Sequence, residues 1–121
     1  MNPLYIAQTR KNPLFEFNTN GYLLLKGRAI NETPEKEFFP AVEWCKKIKS
    51  QQVIFSIGLE YLNSASTRLL LSLFNALNEN RKICTVSVCW FIDTFDTKMR
   101  DVGEIFIDMY PRFNFELHTT L

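Results

Sequence analysis

Histidine is nearly absent from this chain, occurring only as His118, and the four glycines, Gly21, Gly27, Gly58 and Gly103, stand far apart. A lone histidine near the end of the sequence denies most metal sites and nucleophilic triads their usual ligand pair or base, so no metal ligands and no catalytic residues are expected. Scattered glycines exclude a glycine-rich loop that would cradle a cofactor's phosphates with backbone N–H groups, and no cofactor is expected. The three cysteines, Cys45, Cys84 and Cys89, are odd in number, lie in apolar segments and include no Cys-x-x-Cys pair. That is the pattern of reduced thiols in a cytoplasmic protein. The start, Met1-Asn2-Pro3-Leu4-Tyr5-Ile6-Ala7, lacks the basic head and long apolar run of a signal peptide. No stretch approaches the roughly 18 apolar residues that a membrane span needs, so membrane insertion is not expected. A basic excess is missing as well. The net charge is +1, with short clusters at Arg10-Lys11 and at Lys46, Lys47 and Lys49, which argues against a nucleic-acid partner.

Core material is plentiful. Hydrophobic residues make up 46% of 121 residues, with eleven Phe, enough for one well-filled domain over residues 1–121. Leu14-Phe15-Glu16-Phe17, the Asn20-Gly21 turn and Tyr22–Gly27 predict a hairpin. A helix is expected over 34–49, with Thr33 as cap, Glu35 and Glu37 at its positive end, and Phe38, Ala41, Val42, Cys45 and Ile48 on one buried face. Pro40 would interrupt its hydrogen bonding, so the regular part is expected to begin near Phe39. Gln52–Leu62 alternates as a strand, with Val53, Phe55, Ile57, Leu59 and Tyr61 on one side. A helix to about Glu79 carries Leu70, Leu73, Phe74 and Leu77 as its apolar stripe. A strand over 83–91, a helix over 97–110 with Met99, Val102, Phe106 and Met109 inward, and a strand over 113–117 complete the order ββαβαβαβ. The expected fold is α/β, a mixed sheet of about five strands packed by three helices.

Asp93, Asp96 and Asp101 could gather an acidic site, but helix capping and a solvated acidic face account for them. The informative segment is Glu60-Tyr61-Leu62-Asn63-Ser64-Ala65-Ser66-Thr67-Arg68, where a long strand ends and a helix begins among hydroxyl groups. Asn63, Ser64 or Ser66 can cap that helix by accepting a backbone N–H bond. A hydroxyl there also lies beside the positive end of the helix dipole. A phosphoryl group would be tolerated by the domain while its surface gained about −1.5 to −2 charges.

This segment resembles the strand-end Tyr-Leu/Phe-Asn-Ser/Thr-Ser-Ser motif of the SiaC-like family of bacterial regulatory phosphoproteins, whose fold is related to the STAS domain. The Phe38–Trp44 helix, Val86-Ser87-Val88-Cys89-Trp90-Phe91 before an acidic loop, and Phe113-Asn114-Phe115-Glu116-Leu117 extend the resemblance from about residue 13 to 117. It implies a STAS-like fold and a non-catalytic signalling switch, phosphorylated by a dedicated kinase and restored by a phosphatase. In the best-known branch the unphosphorylated form activates a diguanylate cyclase. Carried over by position, the phosphoacceptor is Ser64, and Tyr61, Asn63, Ser66 and Arg68 belong to the partner-binding surface around it. Alternation alone would send Tyr61 inward, so its direction stays open. Ala65 departs from the motif, standing where the family often has another hydroxyl.

Two other readings compete. A constitutive scaffold or dimerisation module would use the aromatic surplus, Phe38, Phe39, Trp44, Trp90 and Phe91, without phospho-control. A small enzyme would need Asp93–Asp101 or His118 gathered in a deep pocket.

Overall fold

The computed structural model describes residues 1–120, and within them the chain runs β1 (Leu4–Ile6), β2 (Leu14–Phe17), β3 (Tyr22–Ala29), α1 (Glu35–Lys47), β4 (Gln52–Leu62), α2 (Ser64–Glu79), β5 (Thr85–Asp93), α3 (Thr97–Met109) and β6 (Asn114–Thr120). The six strands lie side by side in chain order. The first three are antiparallel neighbours, whereas β3 to β6 are parallel and joined through the three helices.

One strand more is present than the sequence predicts. β1 has three residues and no alternation of its own; it forms because Leu4, Tyr5 and Ile6 find partners in Phe17, Glu16 and Phe15. The Trp44 indole N–H also donates to the Asn2 carbonyl at 2.8 Å, holding the segment against α1. α1 corrects two expectations. It begins at Glu35 and runs through Pro40, and Thr33 is not its cap, because the Thr33 amide and hydroxyl both donate to Asn31 Oδ1 instead. Pro40 is exposed between the buried Phe38 and Ala41, so the carbonyl it leaves without a donor belongs to the solvent side. Core packing by Phe38, Ala41, Trp44 and Cys45 holds the helix together across it.

Right-handed crossovers between parallel strands laid down in sequential order put every helix on the same side of the sheet. A continuous chain of edge-to-face rings marks that side: Phe38 on Phe15, Phe17 on Phe55, Phe55 on Phe74, Phe74 on Phe106 and Phe106 on Trp90. Centroid separations of 4.9–5.9 Å are those of favourable aromatic pairs. The opposite face, carrying Leu24, Lys26, Ser56, Gly58, Cys89 and Phe91, has no helix on it and is only partly shielded. Strand order never reverses, so the sheet has no switch point of the kind that forms a nucleotide crevice. No helix of the described residues is long and apolar enough to cross a membrane.

Candidate functional site

β4 carries the chain to the junction with its inward set, Val53, Phe55, Ile57 and Leu59, all buried. The alternation then breaks. Leu59 pairs with Gly27 while Tyr61 pairs with Arg28, so Glu60 is an extra residue opposite the β3 ladder. Gly27, at φ +123°, supplies backbone geometry that few other residues adopt. The bulge reverses the facing of the residues beyond it. Tyr61 does not join the core; it is 54% exposed, and the Arg28 guanidinium lies 4.9 Å from its ring centroid.

Asn63 resolves the choice of cap. Its Oδ1 accepts from the Ser66 amide at 2.9 Å, its Nδ2 donates to the Asn31 carbonyl at 2.9 Å, and its own amide donates to the Ala29 carbonyl at 2.9 Å. Its carbonyl accepts from both the amide and the hydroxyl of Thr67. Ser64 is therefore the first helical residue and not the cap. It is exposed, and among the described residues its hydroxyl has no hydrogen-bond partner. Ser66, expected on the partner-facing surface, is instead fully buried, with Oγ unpartnered beneath the first turn. Arg68 is exposed one turn beyond Ser64, at the i+4 position that brings side chains onto one helix face. The first turn of α2 has no acidic residue, in contrast to α1 with Glu35 and Glu37. The first turn of α2 thus supplies no carboxylate of its own to the positive end of the dipole; outside it, Glu60 and Asp96 line a groove reaching Asn63.

A broad groove of about 830 Å³ opens beside the junction on the helix-free side of the sheet, lined among others by Lys26, Gly58, Tyr61, Phe91 and Phe95. A smaller one of about 390 Å³, reaching Asn63, Lys98 and Met99, shares Glu60, Tyr61 and Asp96 with it. Phe95 is 89% exposed at the tip of the β5–α3 turn. Sequence reasoning passed it over, although a bulky aromatic between Asp93 and Asp96 in a polar turn was a visible signal.

The acidic candidates are structural. Asp93 Oδ1 accepts from the Phe95 amide and Asp96 Oδ1 caps α3 through the Met99 amide, each at 3.0 Å. Both line the large groove, but Asp101 and His118 do not. His118 lies on β6, its ring stacked on Phe91 and its Nε2 3.1 Å from Glu116 Oε2. Of the aromatic residues offered for a scaffold surface, Phe38, Trp44 and Trp90 belong to the core, and only Phe39 and Phe91 reach solvent. Cys45 is buried, which drives its thiol pKa far up, while Cys84 is exposed and Cys89 half-buried.

The family model described as SiaC family regulatory phosphoprotein matches residues 6–120. Among solved structures, a chain in the crystal structure of the diguanylate cyclase SiaD in complex with its activator SiaC, from Pseudomonas aeruginosa, superposes with a TM-score of 0.84 at 19% identity, covering 97% of this chain and 99% of that one. SiaC of Pseudomonas aeruginosa gives 0.83 at 20% identity over 99% of this chain and 100% of that one. Its apo crystal structure gives 0.74 at 20% identity over all of both chains. None of the curated proteins matches the sequence.

Proposed function

The chain belongs to the SiaC family of regulatory phosphoproteins, and from that premise we propose that it is a non-catalytic, cytoplasmic partner switch controlled by reversible phosphorylation of Ser64. A protein kinase adds the phosphoryl group and a phosphatase removes it. The unmodified form docks an output protein, for which a diguanylate cyclase is the candidate class, since the SiaC of the solved complex is named as the activator of such an enzyme.

One observation carries the reading: Asn63 does all the capping, so the Ser64 hydroxyl is exposed and has no structural duty. Phosphorylation then costs the fold little, because the added charge of about −1.5 to −2 meets helix N–H groups in a first turn that carries no carboxylate of its own. Arg68 stands one turn away to pair with it. The docking surface is the aromatic ground beside the switch, Tyr61, Phe91 and Phe95, on a face of the sheet that no helix covers. A parallel sheet is ordinarily covered on both faces, so a partner fits this one. A new dianion at its margin disfavours docking through charge left unpaired on desolvation.

The test is co-expression with a candidate cognate protein kinase, followed by tandem mass spectrometry and partner pull-down. One phosphate on Ser64, its loss in Ser64→Ala, and weaker partner binding by Ser64→Asp are expected. A phosphate found elsewhere, or equal partner affinity for wild type and Ser64→Asp, defeats the proposal; the second result favours a constitutive scaffold.

A further inference from the structure

We propose that Cys89, Glu116 and His118 form a metal site on the helix-free face of the sheet, suited to Zn²⁺ with three protein ligands and one open position. The sequence separates these residues by up to 29 positions and shows no ligand spacing across Cys89 and the other two; strand pairing assembles them. In the parallel β5–β6 ladder Cys89 pairs with Glu116 and Phe91 with His118. Residues two apart on a strand share a face, so Glu116 and His118 project together beside Cys89.

Their ligand atoms all lie within 4.8 Å of one another, and Glu116 Oε2 is already 3.1 Å from His118 Nε2. A tetrahedral zinc with bonds of about 2.3 Å to sulfur and 2.0–2.1 Å to nitrogen or oxygen needs its ligand atoms roughly 3.5 Å apart. The remaining convergence, on the order of 1 Å, lies within side-chain rotation of Glu116 and Cys89. The imidazole is steadied by its stack on Phe91, with centroids 4.9 Å apart and planes within 21°. The donor set is one thiolate, one imidazole and one carboxylate. Zinc takes this combination readily, whereas Mg²⁺ and Ca²⁺ favour oxygen alone. Three donors on two neighbouring strands sit on rigid backbone, and the exposure of Glu116 and His118 gives the ion a direct route in and leaves the fourth position to solvent. Phe91, which stacks on the ligand His118, also lines the large groove, so the ion sits against the wall of that groove.

The experiment uses the full chain, free of any affinity tag, titrated with Co²⁺ as a spectroscopic probe and with Zn²⁺ in competition with a chromophoric chelator. One equivalent is expected to bind, with a thiolate-to-cobalt charge-transfer band and the intense visible bands of tetrahedral cobalt. Cys89→Ser removes the charge-transfer band. Glu116→Gln and His118→Gln each weaken zinc binding by at least about tenfold, while Cys84→Ser changes nothing. Circular dichroism confirms that each variant is folded, and the exposed positions 116 and 118 carry the test should Cys89→Ser lose its fold. Absence of the charge-transfer band in the wild type, or zinc affinity unchanged in both Glu116→Gln and His118→Gln, overturns the proposal.

Discussion

Replacing Asn63 with alanine removes two hydrogen bonds at once, and replacing its neighbour Ser64 removes none. The Asn63 side chain accepts from the Ser66 amide and donates to the Asn31 carbonyl. Loss of an N-cap costs about 1 kcal/mol, within a range of roughly 0.5–2. Loss of the second bond adds about 0.5–1.5 kcal/mol, because the Asn31 carbonyl loses its donor in a part-buried setting. Asn63→Ala should therefore destabilise the domain by about 2 kcal/mol, lowering the urea midpoint by about 1 M. Asn63→Asp keeps the acceptor and loses the donor, so its cost should fall between wild type and Asn63→Ala. Ser64→Ala should stay within about 0.5 kcal/mol of wild type, as exposed positions without special contacts do. Urea unfolding of the four proteins, followed by circular dichroism, separates these outcomes. If Ser64→Ala costs as much as Asn63→Ala, the Ser64 hydroxyl holds the helix together, and the division of labour between cap and switch is wrong.

Packing and exposure set three further outcomes. A Cβ at Gly103 would meet the Trp90 ring at 2.8 Å and Leu117 at 3.0 Å, so Gly103→Ala should lose about 1–3 kcal/mol and disturb the near-ultraviolet signal of Trp90. Phe95→Ala should leave the unfolding midpoint unchanged because the ring is 89% exposed, yet weaken the output partner by about 2 kcal/mol or more in isothermal titration if that ring is a docking anchor. Alkylation of the native protein near neutral pH should label Cys84 first and leave Cys45 untouched until urea unfolds the chain. Burial raises the Cys45 thiol pKa well above its ordinary value, which keeps it protonated and unreactive, and a mass spectrum of the partly labelled protein reads the order.

The helix-free face gives these local features a common setting. Sequential parallel strands with right-handed crossovers leave one whole side of the sheet uncovered. On that side lie the groove, Phe91 and the Cys89–Glu116–His118 cluster, and the groove reaches Glu60 and Tyr61, close in sequence to Ser64, where β4 nears its end. The large inward residues, by contrast, are committed to the aromatic core. Trp44 and Trp90 each have the indole N–H bonded to a backbone carbonyl, Asn2 and Met99 respectively.

Periodicity in the sequence determined where β2 to β6 and the three helices lie and most of what each turns to the core; Met109, expected inward on α3, is instead 50% exposed at the helix's last turn. Burying apolar surface in alternation or at helical spacing is a local requirement. The segment 60–68 was legible as a strand-to-helix junction for the same reason, and the resemblance to a family singled out Ser64 within it. Only the tertiary structure decided the rest. β1 exists through its pairing with β2, α1 continues past Pro40 because packing outweighs one missing hydrogen bond, and a bulge at Glu60 turns Tyr61 to solvent. Asn63 is the cap because the Asn31 and Ala29 carbonyls, about thirty residues earlier in the chain, are there to receive its donors. Likewise Ser66 is buried, and Cys89 meets Glu116 and His118, through contacts between segments that no local pattern in the chain connects.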